Sequence, residues 1–91
     1  MAQVIVTLKI MPESPDTSLQ PIQEKATHLI HEFGGKVGKV DIQEVAFGLK
    51  ALNLLFIMDE DVGSTESLEQ EVAKIAGVNS VDVTDVRRAL G

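Results

Sequence analysis

The sequence predicts an α+β domain with the element order βαββαβ. Three observations predict it. Four stretches alternate in polarity or run continuously apolar, two stretches between them carry apolar residues at helical spacing, and clusters rich in Gly, Pro, Asp or Ser stand where the period changes.

The first strand covers residues 4–11. Val4, Val6, Leu8 and Ile10 share one face, and Ile5, Thr7, Lys9 and Met11 share the other. Both faces are largely apolar, which predicts a central position in the sheet. Pro12, Glu13, Ser14, Pro15 and Asp16 form a loop. Thr17 fits a helix N-cap, with Gln20 three residues on as its capping-box partner. Pro21 then falls in the first turn, where its missing N–H does little harm. Leu19, Ile22, Ala26, Leu29, Ile30 and Phe33 recur at helical spacing until Gly34-Gly35 supplies a left-handed stop.

Residues 37–45 read as a second strand, polar enough for a sheet edge. Phe47-Gly48 marks a turn, and the nearly continuous apolar run of residues 49–58 predicts a second central strand. Residues 59–63 are a loop. Ser64 or Thr65 caps a second helix with Leu68, Val72, Ile75 and Ala76 on one face, and Gly77 stops it. Residues 78–86 alternate again, through Val81 and Val83, as the fourth strand. Two βαβ halves joined by a hairpin give the ferredoxin-like architecture, a four-stranded antiparallel sheet with both helices on one face. Val6, Leu8, Leu29, Ile30, Phe33, Leu68, Val72 and Val81 are expected in its core. Ninety-one residues suffice for one such domain, residues 1–91, with little volume left for an internal active site.

The formal net charge of −6 disfavours contact with a phosphate backbone. No tyrosine or tryptophan is present and phenylalanines number three, so base-stacking platforms are nearly absent. The acidic surface serves solubility and would also suit a basic partner. No cysteine is present, which fits a reducing cytoplasm and rules out cysteine-ligated zinc. Met1-Ala2-Gln3-Val4 lacks the features of a signal peptide, and no apolar run reaches membrane length.

A covalent mechanism finds no support in the residues. The segment from Phe33 to Val40 resembles a phosphate loop only loosely, since Val40 stands where Ser or Thr is needed and the segment runs from helix to strand. His28 and His31 lie off the apolar stripe with no third ligand type nearby, which fits a solvated helix face better than a metal site. Asp59, Glu60 and Asp61 lack the alternating acids and terminal Glu of a calcium loop. The serines sit in turns and caps, and no nucleophile elbow occurs. The expectation is a binding protein, with no enzymatic step, no cofactor and no metal. Folding alone leaves two features unexplained: the aromatic Phe47 at a hairpin tip, and Arg87-Arg88 closing an acidic chain.

Those same segments carry a resemblance. Residues 4–14, Val-Ile-Val-Thr-Leu-Lys-Ile-Met-Pro-Glu-Ser, look like the opening of the archaeal elongation factor 1-beta family. Ala46-Phe47-Gly48-Leu49-Lys50-Ala51-Leu52 is similar to its central F-G-x-K segment, and residues 78–88 resemble its close. The resemblance implies a guanine-nucleotide exchange factor that releases GDP from elongation factor 1-alpha, acting by binding alone. It implies partner-binding roles for Phe47, Gly48, Lys50, Arg87 and Arg88. It also implies a cytoplasmic protein, monomeric when free, that binds neither nucleic acid nor membrane. The chain departs from eukaryotic relatives by ending Arg87-Arg88-Ala89-Leu90-Gly91, without their penultimate lysine, and it lacks their extra N-terminal region. It is therefore expected to act as a minimal exchange module.

Two other classes fit the fold. A regulatory domain could bind a metabolite and dimerise through the outer sheet face, with Ile5, Leu55 and Ile57 as its apolar contacts. An RNA binder would need aromatics on the central strands and a basic sheet face.

Overall fold

The computed structural model describes residues 2–89; Met1 and the Leu90-Gly91 close lie outside the described residues. The order is β1 (Gln3–Pro12), α1 (Leu19–Phe33), β2 (Lys36–Glu44), β3 (Lys50–Asp59), α2 (Glu66–Ala73) and β4 (Val78–Ala89). The sheet runs β2-β3-β1-β4, with every pairing antiparallel. The two apolar strands β1 and β3 are central and the polar β2 is an edge, as expected.

Alternation along β1 and β3 sets the core. Val6, Leu8 and Ile10 face the helices beside Leu52, Leu54, Phe56 and Met58, and all are buried. Across from them α1 inserts Ile22, Ala26 and Ile30, spaced four apart on one stripe, and α2 inserts Leu68 and Val72. Leu29, Phe33 and Val81 are only half-buried and pack around the margin of this core. Two helices over four strands leave that margin open to solvent.

The termini of the elements correct several expectations. The N-cap of α1 is Ser18, and its side chain makes no capping hydrogen bond. Thr17 serves the loop instead: its Oγ1 accepts a hydrogen bond from the Ser14 N–H at 3.2 Å. At the other end Gly34 adopts the left-handed conformation, φ 111°, and its N–H bonds to the His31 carbonyl at 3.1 Å. The N-cap of α2 is Thr65, while Ser64 Oγ accepts the Glu66 N–H at 3.1 Å. That helix stops at Ala73, short of Gly77, so Ile75 lies in the following turn and Ala76 is exposed. The expected loop after β3 contains a 3₁₀ turn, Glu60–Val62. The fourth strand runs to Ala89, beyond the expected end at Val86, because Gln3 extends β1 far enough to pair with it.

Candidate partner-binding site

The β2–β3 hairpin turns through Ala46, Phe47, Gly48 and Leu49. Phe47 and Gly48 both adopt positive φ, 60° and 76°, and the Leu49 N–H bonds to the Ala46 carbonyl at 3.1 Å. Two successive positive φ angles match the right-handed twist of a hairpin, and Gly, Asn or Asp normally supply them. A bulky phenylalanine in this conformation costs about 1–3 kcal/mol. Its ring gains nothing in return, for Phe47 is 94% exposed. Phe47 therefore sets aside both backbone comfort and apolar burial, and no contact among the described residues accounts for it.

Gly48 lies against Pro15, within 3.8 Å of where a side chain would begin, so the β1–α1 loop flanks the tip. Lys50 is opposite Glu44 at the foot of the turn and is exposed. Phe47, Gly48 and Lys50 thus form one cluster.

Arg87 and Arg88 are at the other end of the sheet, close to the 3₁₀ turn. Although adjacent, they point to opposite faces. Arg87 is in register with Ile5 on the face away from the helices, and Arg88 with Val4 on the helix side. Both are paired within the chain. Arg87 Nε forms an ion pair with Asp85 Oδ2 at 2.8 Å. Arg88 Nη2 donates to Glu60 Oε1 at 2.9 Å and to Oε2 at 3.2 Å. All four side chains are substantially exposed, so such pairs contribute little to stability and exchange readily for a partner's acid. Sequence reasoning missed Glu60 and Asp85. Asp85 is two residues from Arg87 on the same strand face and was legible; Glu60 meets Arg88 only through tertiary folding.

His28 and His31 are both exposed on α1, and His28 Nε2 lies 2.6 Å from Glu32 Oε1. Among the described residues no group of three or more His, Cys, Asp or Glu could hold a metal ion, and no helix is long and apolar enough to cross a membrane.

Comparison with known proteins gives a consistent picture. The sequence family described as the EF-1 guanine nucleotide exchange domain matches residues 5–89. The Elongation factor 1-beta of Methanobrevibacter smithii is 44% identical, with 99% of this chain and 100% of that protein covered. Its counterpart in Methanothermobacter thermautotrophicus is 40% identical at the same coverage. That of Staphylothermus marinus is 42% identical over 97% of this chain and 98% of its own length. Among solved structures, the crystal structure of the ACT domain from the GTP pyrophosphokinase of Chlorobium tepidum matches with a TM-score of 0.59 at 18% identity, covering 89% of this chain and 97% of that one. A likeness at that identity carries the architecture alone.

Proposed function

We propose, from the premise that this chain belongs to the EF-1 guanine nucleotide exchange domain family, that its direct partner is the GTPase elongation factor 1-alpha and that Phe47 anchors the contact. The chain is a guanine-nucleotide exchange factor of translation elongation. The observation that carries the anchor is the strained and exposed Phe47. A large aromatic that is exposed in the free protein and can be buried by a partner has the character of an interface hot spot. Gly48 completes the turn that presents the ring. Lys50, exposed at its foot, acts as a rim charge that speeds association. Arg87 and Arg88 meet acidic groups of the GTPase at the far end of the sheet.

The mechanism needs no covalent step, and the reading is of a non-enzymatic factor without cofactor or metal. A protein that binds the nucleotide-free GTPase more tightly than the GDP-bound form must weaken GDP binding by the same factor. The reading places residues 1–91 in the cytoplasm as one module acting as a monomer, without nucleic acid or membrane. The metabolite-binding alternative has the apolar outer face at Ile5, Leu55 and Ile57 and the ACT-domain likeness behind it, and that likeness extends to fold alone.

The test is release of fluorescent GDP from purified elongation factor 1-alpha in excess unlabelled nucleotide. Catalytic amounts of this protein should accelerate release. An unchanged rate with both proteins folded would rule the function out.

A further inference from the structure

The sheet face away from the helices divides the molecule's charge unequally. Register sets its residues in rows across the four strands. One row reads Lys36, Ile57, Ile5, Arg87; the next reads Lys39, Leu55, Thr7, Asp85. A third reads Asp41, Asn53, Lys9, Asp82, and Asp59 closes the face beside Gln3. The face thus holds four cations and four acids and is formally neutral. All the charged residues lie among the described ones, so the net charge of −6 sits wholly on the rest of the molecule: the helix side of the sheet, the helices and the loops.

The first two rows differ further from the rest. Ile57 is 38% exposed, and Ile5, Leu55 and Thr7 are half-buried beside it with no described element covering them. Lys36 and Lys39 border this apolar centre on the β2 side and Arg87 borders it on the β4 side. Its one acid, Asp85, is engaged by Arg87 at 2.8 Å. An acidic surface is repelled by the helix layer and loops but can approach here, where apolar contact and opposite charge coincide. The same face is continuous along β3 and β1 with the hairpin that carries Phe47.

We infer that this open sheet face is the middle of the interface with the GTPase, docking an acidic-rimmed apolar surface of that protein between the Phe47 tip and Arg87. The inference rests on the proposed partner and adds to it a surface that joins the two ends. Protein is favoured over RNA as occupant, because the face has no aromatic on which a base could stack and its centre is apolar.

The experiment compares two charge reversals of equal size in the GDP-release assay at low salt. Lys36→Glu with Lys39→Glu alters the open face; Lys25→Glu with Lys74→Glu alters the helix layer. The open-face pair should raise the half-saturating concentration of factor by about tenfold or more, and high salt should reduce the difference. The helix-layer pair should stay within about twofold of the unaltered protein. Ile57→Asp should act like the open-face pair, with thermal melts confirming that each variant folds. Equal effects of the two pairs, or an open-face pair indistinguishable from the unaltered protein, would overturn the inference while leaving the exchange activity standing. So would sedimentation showing a dimer that Ile57→Asp dissociates, or single-stranded RNA binding abolished by the open-face pair. Failure of the unaltered protein to accelerate release would overturn the partner and the inference together.

Discussion

Phe47 combines an unfavourable φ of 60° with a ring that is 94% exposed. Substitutions at this position can separate the two costs. Alanine keeps a Cβ and so keeps the backbone strain, while removing the ring. Phe47→Ala should therefore leave the melting temperature nearly unchanged and weaken binding to the GTPase by about 2 kcal/mol or more. Asparagine tolerates the left-handed region, so Phe47→Asn should lose binding to a similar extent yet raise stability by about 0.5–1 kcal/mol. Calorimetric melting and titration measure both quantities. Lower stability with intact binding would place Phe47 in a structural role. The ring's presence at a tip was legible in the sequence, because tips are normally polar. Its positive φ was not, because the F-G pair alone leaves open which residue takes which conformation. The pairing of Arg88 with Glu60 was equally illegible, since 28 residues separate them and only folding brings them together.

Among the elements, the junction between α1 and β2 is the most tightly fitted. A Cβ added at Gly35 would sit 2.8 Å from Phe56 Cδ2 and 3.0 Å from Ile30 Cγ2, both fully buried. Neither neighbour has room to yield in a close-packed core. Gly35→Ala should cost about 1–3 kcal/mol of stability by overpacking, measured by urea denaturation. Activity of the folded fraction should persist, because a side chain at Gly35 points into the core against Phe56 and Ile30, away from both the Phe47 tip and the open sheet face. Denaturation unchanged by the substitution would show that the helix–strand junction shifts freely. Periodicity made the elements themselves legible: alternation in β1, the stripe of α1 and the continuous run of β3 each announce their partner layer. Boundaries were less so. Thr17 satisfies the local rule for an N-cap, but Ser14 claims its hydroxyl and the helix begins after Ser18. Likewise Ile75 keeps helical spacing in the sequence, yet the chain leaves α2 at Ala73 and Ile75 packs from the turn.

At the scale of the whole molecule, the described chain measures 42 × 21 × 17 Å, with the Phe47 tip and the Arg87–Arg88 pair at opposite ends of the sheet. That length allows a small domain to contact two separate parts of a larger partner. The placement followed from the strand order, which fixes which loops share an end. The charge asymmetry between the two sheet faces did not, because it needs the bulges at Gly38 and Thr84, which shift register and decide on which face Lys36 and Asp85 fall. The central claim is that this protein works by differential binding: it favours the GTPase without nucleotide, and GDP leaves as a thermodynamic consequence. Titration calorimetry of the chain into nucleotide-free and GDP-loaded elongation factor 1-alpha tests this most directly. Binding to the nucleotide-free form should be tighter by about tenfold or more, and the GDP affinity of the GTPase should fall by that same factor when the chain is bound. Equal affinity for the two forms would contradict the account.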